Sequence, residues 1–224
     1  MNNTYTHIPT NAEVLGKIRF SIPSYISGKR LIHTYSVEKK ALELAKIFFP
    51  ILGIDEKYYS DISASALLHD MTKYLSLEEH KKIYEEYGIE AGISDLKNTA
   101  VLHSRTGAYA AKRDFDVNDT VFSAIYCHTT GKENMNIFDK IIFIADFIEE
   151  TRTHESCVFA RNFFHDNIIK NDDKIKTLDM TIIMSLDSTL SYLLKQGEVI
   201  DLETIKARNF LLAEYALQNQ HTGE

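Results

Sequence analysis

Histidine and aspartate side chains recur along the chain, and their types suit a metal site. His69 and Asp70 are adjacent and directly follow the apolar run from Ala64 to Leu68. A carboxylate placed beside apolar packing is costly unless it is hydrogen-bonded or bound to a cation. The pair therefore requires partners elsewhere in the chain.

Four further residues are candidates for those partners, namely His33, His103, His128 and Asp146. Each lies at or beside the apolar stripe of a different predicted helix. A lone histidine on such a stripe is more often a hydrogen-bonded core residue than a ligand. Four histidines and two aspartates are harder to explain in this way, because each buried polar group would need its own partner.

If all six side chains coordinated metal at one site, each of them would have a partner. Imidazole and carboxylate ligands without thiolate suit iron, manganese, zinc or nickel. Six ligands are too many for one catalytic ion that keeps an open position, but they are enough for two ions if one carboxylate bridges them. The residue types therefore predict two divalent transition-metal ions.

The elements that must position these residues are predicted to be helices. All three prolines lie in the first 50 residues, and no alternating apolar run is bounded by Asn-Gly or Asp-Gly turns. Apolar residues recur instead at helical spacing, as in Val37, Ala41, Leu44 and Phe48. We expect an all-α protein in which residues 11–217 form a single domain, residues 1–10 a flexible tail and residues 218–224 a polar tail.

Caps and breakers delimit the predicted helices. Starts are expected at Asn11, Lys29, Ser60 or Asp61, Ser76, Leu96, Asn118, Asn136, before Leu178, and at Asp201; ends are expected at Pro23, at Pro50 with Gly53, at Gly88 and at Gly197. Residues 151–156 are expected to be a polar connection.

The composition is that of an ordinary globular protein, with 44% hydrophobic and 25% charged residues. A formal charge of −7 argues against a general nucleic-acid binder, but a small phosphorylated ligand needs only a few local cations or metal ions. The apolar run from Ile141 to Ala145 is too short to span a membrane, and the N-terminus lacks the signal-peptide pattern. We expect a cytoplasmic protein without membrane partners. Its oligomeric state is open, and a homodimer is allowed.

Several motifs resemble the HD-domain phosphohydrolase superfamily, and specifically its bacterial YqeK branch. They are His33-Thr, Leu67-Leu-His-Asp-Met-Thr-Lys73, Leu102-His-Ser-Arg-Thr-Gly-Ala-Tyr109, His128-Thr-Thr-Gly131 and Asp139-Lys-Ile-Ile-Phe-Ile-Ala-Asp-Phe-Ile-Glu149. The segment from Thr204 to Leu212 is similar to the closing helix of that branch. The likeness extends over residues 25–213.

This resemblance implies an HD-type helical bundle and a symmetrical bis(5'-nucleosyl)-tetraphosphatase with a di-iron centre. Such an enzyme cuts the central phosphate linkage of diadenosine tetraphosphate to give two ADP. In the family pattern, one metal is held by His33, His69, Asp70 and Asp146. Asp70 bridges to a second ion, which is held also by His103 and His128.

Two cations about 3.5–4 Å apart can share a water, lower its pKa and present the resulting hydroxide to a phosphorus atom. No protein nucleophile is then required, which agrees with the lack of a Walker loop or a G-x-S-x-G motif. Asp70, as the bridge, and Lys73 are the candidate catalytic residues. If the helix continues beyond Asp70, Lys73 lies on the same helix side as Asp70, where its cation could bind phosphate. The alternative is a solvated lysine that closes a helix end.

Other polar residues near the motifs are candidates for substrate binding. Arg105 and Lys132 could bind phosphate, but they are weaker candidates than Lys73. The hydroxyls and amides of Thr129, Thr130 and Gly131 could bind phosphate oxygens, or the segment could be an ordinary helix stop.

The remaining aromatic and polar residues give weaker expectations. Glu149 lies one turn past Asp146 and either orients a metal-bound histidine or is an exposed glutamate. An aromatic platform for adenine is expected among the 12 tyrosines and 12 phenylalanines, but spacing does not identify it. Cys127 and Cys157 are expected to be free thiols packed as small hydrophobes. The histidines outside the motifs are expected at the surface; they are His7, His80, His154, His165 and His221.

Three other functions remain open from the sequence. One is an HD-type phosphohydrolase acting on a different nucleotide, such as a mono- or triphosphate, a cyclic nucleotide or an alarmone. Another is a non-catalytic sensor of metal or nucleotide. The third is a helical interaction scaffold, which would bind no metal.

Overall fold

The computed structural model describes residues 5–221, with side chains described for residues 5–93 and 95–215. Within this range the regular elements are helical, which confirms the expected all-α class. The α-helices are Ala12–Tyr25 (α1), Gly28–Leu52 (α2), Tyr59–Leu68 (α3), Leu77–Glu86 (α4), Ile93–Lys97 (α5), Thr99–Phe115 (α6), Asp119–Cys127 (α7), Ile137–Ile148 (α8), Glu155–Ile168 (α9), Lys174–Gln196 (α10) and Leu202–His221 (α11). None of the described helices is long and apolar enough to cross a membrane.

Polar side chains cap several helices at the predicted residues. The Asn11 side chain accepts a hydrogen bond from the Val14 amide at the start of α1. Ser76 and Glu79 form a reciprocal capping box at α4, as the sequence predicts. Asn136 likewise forms one at the start of α8. These caps satisfy amides that have no acceptor within their own helix.

The two predicted proline ends are wrong in detail. Pro23 lies inside α1 and Pro50 lies inside α2. Each is in the last turn of its helix, so the missing amide removes only one hydrogen bond before the helix ends anyway. The end of α2 is instead fixed by Gly53, which adopts a left-handed conformation with φ of 66°.

Two helical segments differ from the sequence expectation. The helix expected from Leu96 to Phe115 is divided at Asn98, whose side chain caps α6 by accepting from the Ala100 amide. Helix α9 was not expected at all. Its buried face consists of Cys157, Ala160, Phe164 and Ile168, which recur at helical spacing and pack towards α10.

The first described residues are attached to the helices rather than forming a loose tail. The Tyr58 hydroxyl donates to the Tyr5 carbonyl at 2.6 Å, and the Thr10 amide donates to Asp61 at 2.7 Å. Asp61 is fully buried, so it requires such donors. Residues 1–4 lie outside the described residues. At the other end, α11 extends to His221 and therefore includes residues 218–221 of the expected polar tail.

Helix α8 lies at the centre of the packing and contacts α2, α3, α7, α9 and α10. Helix α3 is also enclosed, since every residue from Asp61 to Leu68 is buried. Cys127 and Cys157 are buried free thiols, as expected. Because α3 is enclosed and α8 contacts five other helices, polar residues at their C-terminal ends are buried or partly buried.

Candidate active site

The six residues with metal-binding chemistry converge at one end of the helical core. His69 and His128 are the C-cap residues of α3 and α7, and Asp70 follows in the turn after α3. The others lie within helices: His33 in α2, His103 in α6 and Asp146 in the last turn of α8. Helices that are distant in sequence thus bring these side chains together.

All four histidine rings are held through the Nδ1 atom, three of them by a backbone carbonyl and His33 by the Glu149 carboxylate at 3.0 Å. The Nδ1 of His69 lies 2.7 Å from the Ala66 carbonyl, and that of His128 lies 2.7 Å from the Ile125 carbonyl. The Nδ1 of His103 lies 3.2 Å from the Thr99 carbonyl. Because a carbonyl only accepts, each Nδ1 carries the proton and each Nε2 presents a lone pair.

The Nε2 lone pairs face Asp70 from two sides. Asp70 Oδ2 lies 3.2 Å from Nε2 of His69 and 3.7 Å from Nε2 of His33. Its other oxygen, Oδ1, lies 3.0 Å from Nε2 of His103. The two oxygens of one carboxylate therefore face two different sets of nitrogens.

Asp146 and His128 complete these sets. Asp146 Oδ1 lies 3.0 Å from Nε2 of His33 and 3.9 Å from Nε2 of His69. The Nε2 atoms of His128 and His103 are 3.1 Å apart. Donor atoms within 4.8 Å of one another form one group from His33, His69 and Asp146 and another from His69, Asp70 and His128. His69 thus belongs to both groups, whereas the family pattern assigns it to one ion.

The cluster fits a divalent cation better than a hydrogen-bonded core. Nε2 of His33 and Nε2 of His69 are buried and have no hydrogen-bond partner among the described residues. The two lone pairs of His103 and His128 face each other at 3.1 Å, which is unfavourable unless a cation lies between them. Buried polar atoms without a partner are costly, and metal coordination would satisfy them.

Burial and charge favour the metal-binding protonation states of His128 and Asp146. Burial lowers the pKa of His128 well below its usual value, and the neighbouring His69 and His103 lower it further. Burial would raise the pKa of Asp146, but the Arg152 cation and its histidine neighbours hold it well below the usual range. At His33, burial would lower the pKa of the ring, but hydrogen bonds with Asp146 and Glu149 raise it. Neutral imidazoles and ionised carboxylates are the forms that bind metal.

Comparison with known proteins agrees with this geometry. Residues 30–150 match the HD domain family. The chain belongs to the HD domain family. A symmetrical bis(5'-nucleosyl)-tetraphosphatase of Halalkalibacterium halodurans is 30% identical over 201 residues, which cover 89% of this chain and 97% of that protein. A Bacillus subtilis protein of the same name is 28% identical over 193 residues, covering 86% and 94% of the two chains.

A solved structure shares the HD fold over the same extent. It is an HD superfamily hydrolase from Clostridium acetobutylicum, described as involved in NAD metabolism. The TM-score is 0.76 at 30% sequence identity, and the match covers 89% of this chain and 97% of that one. Metal binding is a property of HD domain hydrolases, and the clustered histidines and aspartates of this chain could hold a divalent metal.

Two arginines that the sequence analysis did not identify lie next to the cluster. Arg30 Nη1 lies 2.7 Å from Asp70 Oδ2, and Arg152 Nη2 lies 2.5 Å from Asp146 Oδ1. The sequence could have identified Arg30, because it lies one helical turn before His33 and therefore on the same face of α2. Arg152 follows the end of α8, where helical spacing no longer indicates direction.

Lys73 and Thr129 line the same cavity of about 200 Å³ as the cluster residues. Lys73 Nζ lies 3.8 Å from Asp70 Oδ1. It reaches that position through a series of tight turns, because α3 ends at Leu68 instead of continuing. The helix does not continue to Lys73, so the reason given for its position beside Asp70 is wrong, although the residue does line the cavity.

Thr130 and Gly131 have structural contacts in this fold. Both are buried, and the Thr130 hydroxyl donates to the Gly131 carbonyl at 2.8 Å. Gly131 adopts a φ of 64° and packs against Ala207 of α11. Neither residue lines the cavity of the cluster.

Arg105 and Lys132 are paired with acids away from the cluster cavity. Arg105 lies 2.6 Å from Asp95 and 2.8 Å from Asp201, so it joins α6 to the start of α11. Lys132 lies 3.0 Å from the fully buried Asp139. Neither lines the cavity, so this arrangement does not support their expected contact with substrate.

Two histidines expected at the surface lie partly or wholly inside. His80 is buried, and its Nδ1 lies 2.7 Å from the Thr106 hydroxyl. Nε2 of His7 lies 2.8 Å from Asp61, beneath the N-terminal segment. His154 and His165 are exposed, as expected, and the His221 side chain lies outside the described residues.

Proposed function

We propose that this HD-domain chain hydrolyses diadenosine tetraphosphate symmetrically to two ADP, using two divalent metal ions. The observation that supports this most directly is the orientation of the Asp70 carboxylate, whose two oxygens face different histidines. A bridging carboxylate between two ions has this arrangement. The name carried by the two full-length relatives supports the choice of substrate.

The proposed ligands are the six clustered residues. One ion would be held by His33, His69, Asp70 and Asp146, and the other by Asp70, His103 and His128. The imidazole and carboxylate donors suit iron, which we favour, as well as manganese, zinc or nickel. When bound, such ions supply an activated water and neutralise charge on phosphate oxygens.

The remaining polar side chains of the cavity would bind and orient the polyphosphate. Arg30, Lys73 and Arg152 line the cavity and carry positive charge next to the two aspartates. An arginine binds two phosphate oxygens at once, whereas a lysine acts as a point charge. Thr129 also lines the cavity, and its hydroxyl would bind one further oxygen. Together they would hold the central linkage against the metal ligands.

Product analysis tests this function directly. Protein purified without added metal should contain a transition metal by elemental analysis, and it should convert diadenosine tetraphosphate to ADP alone. Asp70→Ala should lose both metal and turnover. Formation of AMP and ATP would contradict symmetrical cleavage. If the metal-loaded protein hydrolyses only another nucleotide, the substrate is wrong but the phosphohydrolase chemistry remains.

A further inference from the structure

A second cavity of about 490 Å³ adjoins the metal cluster. Its lining residues are Lys29, Arg30, Ile32, His33, Tyr74, Glu149, Thr151 and Arg152. Arg30 and Arg152 line this cavity and also the smaller cavity of the cluster. The two cavities are therefore neighbours that share these two arginines, and we call the larger one the Tyr74 cavity.

Two large apolar side chains are exposed in the Tyr74 cavity. Tyr74 is 59% exposed and Ile32 is 62% exposed. Single exposed apolar residues are common, but here two of them share one concave surface beside a charged site. The Tyr74 hydroxyl donates to the Ser27 carbonyl at 3.3 Å, which restrains the ring. The cavity thus presents an aromatic ring of which more than half is exposed.

The charged residues of this cavity favour an anionic ligand. Lys29 makes no ion pair with the side chains that the structure describes. The two arginines of the cavity are paired with Asp70 and Asp146, which lie on the side of the cluster and do not line this cavity. The one acid among the lining residues, Glu149, is fully buried and is engaged by His33 and Thr151. Positive charge near the cluster and an apolar surface further out match a nucleotide, with its phosphates inward and its base outward.

We propose that the Tyr74 cavity binds one nucleoside of the substrate, with the base against Tyr74 and Ile32. This inference rests on the proposed function, since it names the part of the site that receives the nucleoside. Aromatic rings bind bases by stacking, and this contact tolerates different bases because each has a π face. Tyr74 is therefore a positioning residue for the base, while the phosphates are bound by the cations and metal ligands.

Calorimetric titration of the metal-loaded protein tests this inference. Tyr74→Ala should weaken ADP binding about tenfold, as expected for loss of one base-stacking contact. Tyr74→Phe keeps the ring and loses only the hydrogen bond to the Ser27 carbonyl, so it should retain most of the wild-type affinity. Inorganic pyrophosphate has no base, so its affinity should be the same in all variants. Phe20→Ala is a matched control, because Phe20 is an aromatic residue on α1 that is 89% exposed.

Two results would overturn the inference. One is an unchanged ADP affinity in Tyr74→Ala, and the other is an equal loss for pyrophosphate, which would indicate a general disturbance of the site. Steady-state kinetics with diadenosine tetraphosphate should show KM raised about tenfold in Tyr74→Ala and kcat within about twofold of wild type. If the wild-type protein does not cleave that substrate, the proposed function fails, while the ADP titrations still decide the role of Tyr74.

Discussion

Glu149 holds the ring of His33 from the side opposite the metal cluster. Its Oε1 accepts from Nδ1 of His33 at 3.0 Å, while Nε2 of His33 lies 3.0 Å from Asp146. Burial would raise the pKa of Glu149, but hydrogen bonds from His33, Ser36 and Thr151 lower it to about 2. A charged carboxylate therefore fixes the tautomer that points Nε2 towards the cluster.

Glu149→Gln should weaken metal binding by about 10- to 100-fold, because a neutral amide is a poorer acceptor for the His33 proton. Competition with a chelator of known affinity measures this directly. Glu150→Gln is the matched control, since Glu150 is the next residue and its side chain is 56% exposed and paired with Lys40. Unchanged metal affinity in Glu149→Gln would show that Glu149 does not orient the ligand.

The proposed bridge predicts different metal stoichiometries for two ligand variants. His103→Ala removes a ligand of the second ion alone and should leave about one ion per chain. Asp70→Ala removes a ligand of both ions and should leave less metal than His103→Ala. Elemental analysis of the purified variants measures the ratio. Two retained ions in Asp70→Ala would exclude a bridging role.

The clustering of the six polar residues could be predicted from the sequence, because helical spacing determines which side of a helix each side chain faces. His33 lies on the apolar stripe of α2, and this stripe has to face the core. The structure brings His33 together with the other five candidates, and their coordination of metal stays a prediction. Residues just beyond a helix end have no such restriction. This explains why Arg152 was not found and why the reason given for Lys73 was wrong.

The remaining differences between the sequence expectations and the structure are due to contacts between residues that are distant in sequence. Arg105 forms an ion pair with Asp201, which is 96 positions further along the chain, instead of facing the cluster. No local pattern indicates that contact. The burial of His80 has the same origin, since its hydrogen-bond partner Thr106 belongs to another helix. Helix α9 is different, because its apolar spacing was present in the sequence and was overlooked.

The burial of His80 predicts a loss of stability in mild acid. His80 is 1% exposed, and burial, with the charge of His103, lowers its pKa from 6.5 to about 4. Below pH 6.5 the unfolded chain takes up a proton that the folded protein does not. The free energy of unfolding should therefore fall by about 3 kcal/mol between pH 6.5 and pH 4 from this residue alone.

His80→Gln should remove that part of the pH dependence, although it also loses packing at neutral pH. Urea unfolding at several pH values, with a chelator present throughout, gives the difference between variant and wild type. His165→Gln is the control, since His165 is exposed on α9 and should keep the wild-type slope. An identical pH dependence for His80→Gln and wild type would contradict the prediction.

Gly131 should be less replaceable than Gly197, because it meets two restrictions. Its φ is 64°, and an added Cβ would lie 2.9 Å from Cβ of Ala207 in α11. Gly197 has a nearly identical φ of 66° but open space around the same position. Alanine at either site incurs the left-handed backbone cost of about 1 kcal/mol.

Gly131→Ala should thus destabilise the protein by about 1–2 kcal/mol more than Gly197→Ala, owing to overpacking against α11. Urea unfolding of both variants measures the difference. A double-mutant cycle with Ala207→Gly isolates the contact, because removing the Ala207 methyl group should recover most of the excess loss. Equal losses at the two glycines, or no recovery in the double variant, would show that α11 does not restrict the segment after His128.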